Sequence, residues 1–364
     1  MIHISHMSLC NFRNYGELEL DLPPHPAVFQ GGNAQGKTNL LEAMYLLATT
    51  RPYRAITERE LINWSAMAEE LPVARLVARV QRGDGEVRVE VAIRGPQPGT
   101  EGAGHAHKQI RINGVPRRAA DAVGQVRAVM FSSQDIELIS GAPAGRRRYL
   151  DLTSSQLDPR YVRALQRYHK VVVQRNHLLR QIAERRARAD QLEFWDHEML
   201  EAGSYIVGVR QDMLAELDRL VAPIHQELSG GTEQLDIAYV PSALPDDFAR
   251  RLAASREREV AQGRSLVGPH RDDLVLSIDQ RAVGVFGSRG QQRTAALSLK
   301  LAEARLMRAR GGDSPVLLLD DVLSELDAAR RRQLLQFIAS YEQVVLTATD
   351  IDRFPPEFLD RATL

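Results

Sequence analysis

Alternating apolar and polar residues predict strands near the start of the chain. A two-residue period runs through 2–9 and again through 16–22, and the polar stretch 11–15 between them is expected to be a turn. The same period at 73–80 and 86–93 flanks a turn containing two glycines. That arrangement is typical of a β-hairpin.

Short runs that are apolar without alternation predict strands of another kind. They lie at 27–29, 127–131, 314–321 and 343–347. The run at 314–321 is apolar on both faces, which indicates a central strand of a parallel sheet, where ligands collect at the carboxyl end. A Gly- and Pro-rich connection at 95–107 is expected to be a surface loop.

A helical period begins in the middle of the chain. Apolar residues recur at spacings of three, four or seven, at Tyr161, Leu165, Tyr168, Val172, Leu179 and Ile182, and again from Leu192 to Leu220. They predict a helical hairpin at about 159–229, with two helices each about 45 Å long and a narrow, coiled-coil-like seam. Strands at 234–240 and 274–278 follow, on either side of a helix at 246–261.

The stretch after the strand at 27–29 fits the phosphate-binding pattern G-x-x-x-x-G-K-[ST]. Its residues are Gly31, Gly32, Asn33, Ala34, Gln35, Gly36, Lys37 and Thr38, and Asn39 opens an apolar helix. A strand, a Gly-rich loop and a helix N-terminus together form an anion site, because backbone N–H groups converge on phosphate oxygens. We expect the two end glycines to be required by the turn, Lys37 to reach the β and γ phosphates, and Thr38 to bind Mg²⁺.

The run at 314–321 ends in two acids, which is the Walker B form. Asp320 is expected to hold Mg²⁺, and Asp321 to polarise the attacking water. Many relatives of this architecture carry Glu where Asp321 stands. The shorter side chain suggests slow or water-mediated hydrolysis.

The 283 positions between Lys37 and Asp320 exceed what a compact GTPase inserts between these motifs, and the chain has no Asn-Lys-x-Asp guanine motif. The spacing resembles that of an ATP-binding-cassette (ABC) head, in which a helical lobe interrupts the nucleotide site. The sequence offers the remaining parts of such a head. They are Gln134 at the Q-loop position, Ser288, Arg289, Gly290 and Gln291 in a signature motif at 287–293, Asp327 in a D-loop, and Thr349 at the switch position.

Charge is distributed unevenly, although Lys plus Arg and Asp plus Glu both number 47. Residues 141–190 carry twelve basic against four acidic residues, and 311–364 carry five against ten. The arginines of the predicted outer face, Arg146, Arg147, Arg148, Arg185, Arg186 and Arg188, would suit either a solvated helix surface or DNA phosphates. The single cysteine, Cys10, fits a reducing compartment, and no run is long enough to span a membrane, so a cytoplasmic protein is expected.

These motifs resemble one family closely, the RecF family of bacterial DNA replication and repair ATPases. The matching residues are Asn11-Phe12-Arg13-Asn14-Tyr15, the loop 31–38, Gly141-x-Pro143-x-x-Arg146-Arg147-x-Tyr149-Leu150-Asp151, Gln174-Arg175-Asn176 with Leu178-Leu179, Gly268-Pro269-His270-Arg271-Asp272-Asp273-Leu274, Ser288-Arg289-Gly290-Gln291-Gln292-Arg293 and 317–327. They cover nearly the whole chain. One departure is Ser133-Gln134-Asp135, where the family usually has Pro-Glu-Asp; Gln134 restores the amide common in wider cassette relatives and is expected to contact the metal and the γ-phosphate.

The resemblance implies an α/β ABC-type head, a P-loop NTPase with a mixed-sheet lobe and a helical second lobe that carries the hairpin. We place the ATPase lobe at 1–130 and 311–364 and the helical lobe at 131–310. The resemblance also implies ATP-dependent dimerisation, binding to double-stranded and gapped DNA, and cooperation with RecR and RecO in loading a recombinase. Arg13 is expected to reach the γ-phosphate.

The sequence therefore predicts an ATP- and Mg²⁺-dependent clamp with weak hydrolysis, completed between two copies by Ser288. Two other classes of ATPase are alternatives. The ATPase subunit of an ABC transporter would carry a Leu-Ser-Gly-Gly-Gln signature, and a nuclease-associated SMC-type head would carry a long coiled coil. A scaffold whose nucleotide is structural is a further alternative, and it would bind ATP without any change in its oligomeric state.

Overall fold

The computed structural model describes residues 2–55, 57–83, 85–96 and 106–364. Most of the connection expected as a loop at 95–107 lies outside these residues. The chain forms two compact units, the first of Met1–Asp135 and Lys300–Leu364 and the second of Ile136–Leu299. The strands are β1 His3–Phe12, β2 Tyr15–Asp21, β3 Ala27–Gln30, β4 Val73–Arg82, β5 Gly85–Arg94, β6 His107–Ile112, β7 Val115–Arg117, β8 Ala128–Ser132, β9 Leu235–Val240, β10 Asp273–Ile278, β11 Arg281–Ala282, β12 Val316–Asp320 and β13 Val344–Ala348.

Helices alternate with these strands and dominate the second unit. They are α1 Lys37–Thr49, α2 Ala119–Ala122, α3 Glu137–Ser140, α4 Pro143–Leu157, α5 Pro159–Ala183, α6 Leu192–Ser229, α7 Pro245–Gln262, α8 Val283–Phe286, α9 Arg289–Gly311, α10 Ala328–Ile338 and α11 Pro356–Leu359. Among the described residues, no helix is long and apolar enough to cross a membrane.

In the described part of the chain, two sheets form the first unit. One is antiparallel in the order β2-β1-β4-β5-β6-β7, and the other is parallel in the order β3-β13-β12-β8. Every residue of β12 and β13 is buried, as expected for inner strands covered on both faces. The parallel sheet therefore places the ends of β3, β12 and β13 at one edge.

The predicted polar turn at 11–15 was too wide. Phe12 belongs to β1, is fully buried and pairs with Tyr15 of β2. The turn itself is Arg13-Asn14, and Asn11 and Arg13 both adopt positive φ, at 52° and 53°. Burial of the Phe12 ring outweighs the polarity of its neighbours.

The helical hairpin is present, but its two helices are unequal. With 25 and 38 residues, α5 and α6 are about 37 and 57 Å long, not 45 Å each. Their seam is also not confined to two helices, because Tyr168 of α5 and Met199 of α6 pack in one cluster with Phe248 of α7. At Gly203 of α6 an added Cβ would lie 2.6 Å from the Phe248 ring, so glycine allows α7 this close approach.

Two buried arginines account for family-specific stretches of the second unit. Arg175, fully buried, donates to Asp196, Glu259 and Ser265. Arg210 donates to Asp151, to the Pro269 carbonyl and to Asp272. The stretches around Arg175 and at 268–274 thus build a buried polar network, in which each charge meets an opposite charge.

Part of the predicted basic outer face is engaged internally. Arg146 forms a two-bond ion pair with Asp273, at 2.6 and 2.8 Å, and Arg147 donates to the Asp272 carbonyl. These two side chains hold α4 against β10. Arg186 and Arg188 are exposed and pair with their sequence neighbours Glu184 and Asp190.

Candidate nucleotide-binding site

The phosphate-binding pattern occupies the turn from β3 into α1, at the carboxyl edge of the parallel sheet. Gly36, the residue before α1, has φ 98°, and an added Cβ would lie 2.5 Å from the Asn14 amide nitrogen. Glycine is therefore required at position 36. At Gly31 the φ is ordinary, and an added Cβ would meet nothing within 4 Å among the described residues, so its role beside a phosphate stays a prediction.

The N-terminus of α1 faces this turn. Among the described residues no side chain caps it, and its first turn holds no acidic residue. Unpaired N–H groups and the helix dipole both favour an anion there. The Lys37 ammonium lies over the same turn and donates to the carbonyls of Gly31 and Gly32 at 2.6 and 2.7 Å.

Asp320 is the centre of the polar contacts at the end of β12. Thr38 donates its hydroxyl to both carboxylate oxygens, at 2.7 and 2.9 Å, and Thr347 of β13 donates to one of them at 2.9 Å. Two of the three predicted metal ligands, Thr38 and Asp320, are therefore in direct contact across 282 positions of sequence. A hydroxyl and a carboxylate suit Mg²⁺, which is bound through one or two carboxylates and keeps several waters and phosphate oxygens.

Arg54 is a residue of this site that the sequence analysis missed. Its Nη2 donates to Asp320 Oδ2 at 2.8 Å, and its side chain is one-third exposed. It lies shortly after α1, in a segment with no period or motif. The only signal in the sequence is its position shortly after the helix that follows the phosphate-binding loop.

Arg13 does not take the predicted place beside the γ-phosphate. Its guanidinium donates twice to Glu42, at 2.9 and 3.0 Å, and once to the Glu60 carbonyl. Glu42 is 1% exposed on α1, and a buried carboxylate requires a cationic partner. Arg13 supplies that charge and supports the helix.

A cleft of about 470 Å³ opens at this edge of the sheet. Its lining includes ten predicted residues, Asn33, Ala34, Gln35, Gly36, Lys37, Thr38, Asn39, Asp320, Asp321 and Thr349. It also includes residues that were not predicted, Asn14, Arg54, Ser133, Glu325 and Thr347. A cleft that holds lysine, arginine and amide groups together with carboxylates suits a polyphosphate with a divalent cation.

Gln134 stands next to the cleft and is exposed, but its neighbour Ser133 supplies the lining. Its backbone N–H donates to the Ser132 hydroxyl. Asp135 accepts from the Ser132 N–H at 2.8 Å and from the Tyr53 hydroxyl, and burial raises its pKa to about 6. Asp135 therefore stabilises the end of β8.

Two of the acids after β12, Asp321 and Asp327, have different local roles. Asp321 has a left-handed backbone, φ 50°, and its N–H donates to the Thr347 hydroxyl at 3.0 Å, which leaves its carboxylate on the cleft. Asp327 caps α10 by accepting from the Arg330 N–H, and it also pairs with the Arg330 guanidinium. It is not among the lining residues of the cleft in the described part of the chain.

The signature segment belongs to the second unit. Ser288, Arg289 and Gly290 are exposed at the start of α9. Ser288 and Gln291 form a reciprocal cap: the Ser288 N–H donates to Gln291 Oε1 at 2.9 Å, and the Gln291 N–H donates to Ser288 Oγ at 3.2 Å. The hydroxyl proton of Ser288 is thereby free to point away from the helix.

Known proteins similar to this chain share its full length. A family model described as the RecF/RecN/SMC N-terminal domain matches residues 3–354. DNA replication and repair protein RecF of Herpetosiphon aurantiacus is 48% identical over 100% of this chain and 97% of its own, and that of Chloroflexus aurantiacus is 46% identical over 98% and 96%. Among solved structures, the recombination mediator protein RecF-ATP in the RecFOR pathway matches with a TM-score of 0.87 at 32% identity, over 97% of this chain and 94% of that one. An Smc head domain from Pyrococcus furiosus matches with a TM-score of 0.54 at 16% identity, which concerns the fold alone.

Proposed function

Because the chain belongs to the RecF family of DNA replication and repair proteins and has an ABC-type ATPase head, we propose that it is an ATP-driven DNA clamp. It binds ATP with Mg²⁺, dimerises on the nucleotide, and then holds double-stranded or gapped DNA. The observation that carries the proposal is the hydrogen bond from Thr38 to Asp320. It joins the phosphate-binding loop to the Walker B acid in one cleft, and the solved relative described as RecF-ATP supports ATP as the ligand.

Each side chain of the cleft has a task in this proposal. Lys37 exchanges the carbonyls of Gly31 and Gly32 for the β and γ phosphates, and the α1 N-terminus binds the same anion. Thr38 and Asp320 hold Mg²⁺, which neutralises phosphate charge when bound. Asp321 orients and polarises the attacking water. Thr349 and Gln134 remain predicted contacts of the γ-phosphate.

The remaining parts come from a second copy. Ser288, Arg289 and Gly290 are exposed at a helix N-terminus that half-buried Gln291 completes, and this terminus suits the phosphates of a nucleotide held by the partner. Asp327 is predicted to lie at the same dimer contact. Two nucleotides would thus join two heads, and hydrolysis would separate them.

DNA binding in this proposal depends on basic residues of the hairpin end and on partner proteins. Arg185, Arg186 and Arg188 are the arginines of the predicted face that lie at the turn between α5 and α6, where phosphates can approach. RecR- and RecO-type mediators are the expected partners, since the relative is described as part of the RecFOR pathway. The setting is the cytoplasm, where the recombinase would be loaded on single-stranded gaps.

The test is DNA affinity measured with ATP, with ADP and without nucleotide, each across a salt series. A clamp that aligns basic surfaces only when closed gives a steep salt slope with ATP alone. An equal slope in all three conditions would show that nucleotide does not control DNA binding. That result would favour the scaffold alternative.

A further inference from the structure

A chain of hydrogen bonds within the second unit runs from a buried histidine to the signature serine. His225, on α6, is fully buried, and its Nε2 lies 3.0 Å from Glu233 Oε2. The other oxygen of Glu233 accepts from Gln291 Nε2 at 2.9 Å. Gln291 Oε1 in turn accepts from the Ser288 N–H at 2.9 Å. We call these four residues, Ser288, Gln291, Glu233 and His225, the relay.

The relay has a defined direction because a carboxylate only accepts hydrogen bonds. Gln291 must turn its NH₂ group towards Glu233, and its carbonyl oxygen then faces the Ser288 N–H. His225 donates through Nε2 to the second carboxylate oxygen. Glu233 therefore fixes which way the Gln291 amide points, and this orientation is the one that completes the cap of α9.

A helix cap of the Ser-x-x-Gln type does not need a third residue. The addition of an acid from the turn after α6 therefore requires a separate explanation. Gln291 is part of the exposed signature segment, and a glutamine side chain there has several rotamers. Contact with Glu233 removes that freedom and keeps Gln291 away from other partners.

The histidine end of the relay is anchored to the same two helices. His225 Nδ1 lies 3.0 Å from Ser298 Oγ, and Ser298 donates to the Thr294 carbonyl within α9. Pro223 lies inside α6 two residues earlier, and proline removes one helical hydrogen bond there. The last turns of α6 are thus separated from the rest of this helix by Pro223, and His225 connects them to α9.

We propose that Glu233 is a positioning residue for the signature segment, through which the end of α6 orients Gln291 and Ser288 towards the nucleotide of a second copy. This inference rests on the proposed function, since Glu233 would position the segment that completes the nucleotide site between two copies. The signature segment of one copy completes the nucleotide site of its partner. Glu233 therefore acts on the partner's site, and not on the cleft in the first unit of its own chain. Displacement of the end of α6 would loosen the signature serine.

The first test needs no nucleotide and no dimer. Hydrogen exchange of the Ser288 and Gln291 amides is measured in the full chain, in wild type, Glu233→Ala, Glu233→Gln and Glu257→Ala. Exchange should quicken by about fivefold in Glu233→Ala, the equivalent of one hydrogen bond. Glu233→Gln keeps an acceptor for Gln291 and should stay near wild type, as should Glu257→Ala, which changes an exposed glutamate of α7. Unchanged exchange in Glu233→Ala would overturn the inference.

The second test separates the two copies of the dimer. A Glu233→Ala copy keeps its phosphate-binding loop, and a Lys37→Met copy keeps its signature segment, so a mixed dimer contains one site with both parts intact. Each variant alone should hydrolyse ATP poorly. An equimolar mixture should hydrolyse it several-fold faster than either variant alone, because a mixed dimer is joined by the nucleotide of its one intact site. A misfolded Glu233→Ala chain could not complement Lys37→Met.

Different outcomes would overturn this inference and the proposed function on which it rests. No recovery in the mixture, or wild-type hydrolysis by Glu233→Ala alone, would overturn the positioning role. Failure of the wild type to dimerise with ATP would overturn the proposed function, while the exchange measurement would still decide whether Glu233 orders Ser288.

Discussion

Arg54 and Asp320 form an ion pair at 2.8 Å in which the guanidinium shares the carboxylate with Thr38. The acid that is expected to hold Mg²⁺ is thus already neutralised by an arginine of the same unit. A cation that binds Asp320 competes with Arg54. Once released, this guanidinium lies at the cleft, where phosphates are its natural acceptors.

The first prediction concerns this exchange of partners. Arg54→Ala should weaken MgATP binding by about tenfold, because one charge-assisted hydrogen bond to phosphate is lost. Titration of nucleotide into the full chain measures it. Arg51→Ala, which changes an exposed arginine of the same segment, should bind as wild type. Equal affinities in Arg54→Ala and wild type would mean that Arg54 only balances the charge of Asp320.

A second prediction separates nucleotide binding from hydrolysis. Lys37→Met removes the ammonium from the phosphate-binding loop, so ATP-dependent dimers should disappear in sedimentation experiments. Asp321→Asn leaves the loop intact but removes the group that polarises water, so its dimers should form with ATP and persist. Monomers of the wild type in saturating ATP would contradict both expectations.

The third prediction concerns stability of the second unit. Arg175→Met would leave Asp196 and Glu259 buried beside an apolar side chain, and the free energy of unfolding should fall by about 3–5 kcal/mol. The matched control is Arg167→Met, because Arg167 pairs with Glu198 and Glu201 at the surface. This substitution should lower the free energy of unfolding by less than about 1 kcal/mol. Urea unfolding compares them, and similar losses would show that the Arg175 network is not a major source of stability.

A fourth prediction follows from the pKa of Asp135. Burial raises this pKa from 3.8 to about 6, so the folded chain binds the proton more tightly than the unfolded chain between these values. The contribution of Asp135 to stability is therefore greatest below pH 4 and is lost as pH rises through 6. Asparagine cannot ionise. The free energy of unfolding of Asp135→Asn should therefore rise by about 2 kcal/mol relative to that of wild type as the pH is raised from 4 to 8.

Urea unfolding at both pH values measures this difference. Asp360→Asn makes the same substitution at an exposed position and is the matched control. If the difference between Asp135→Asn and wild type is constant with pH, the carboxyl does not titrate in this range.

The contacts that sequence could predict are those fixed by strand ends. Asp320 ends β12, and Thr38 lies just beyond the loop that follows β3. Parallel strands bring their carboxyl ends to one edge, so the proximity of these two residues could be predicted without any other contact. The separate phosphate and metal roles predicted for these residues rest on residue type. The same reasoning located β12 and the start of α1 to within two residues.

Contacts that depend on a distant partner were not predictable. Arg13 was assigned to phosphate because it is close in sequence to the loop, but the buried Glu42 binds it instead. Arg54 was missed because no periodicity marks a side chain that reaches Asp320. Likewise Arg146 looks like surface charge until Asp273, far along the chain, is placed beside it.

The strand order β3-β13-β12-β8 also bears on how the protein is made. β13 lies between the strand that carries the phosphate-binding loop and the strand that carries Asp320, yet it is the last of the four to be synthesised. A ribosome-bound chain that ends before Val344 has both motifs but lacks the strand that joins them, and domains generally fold as units. The nascent protein should therefore remain unable to bind nucleotide until residue 348 has left the ribosome.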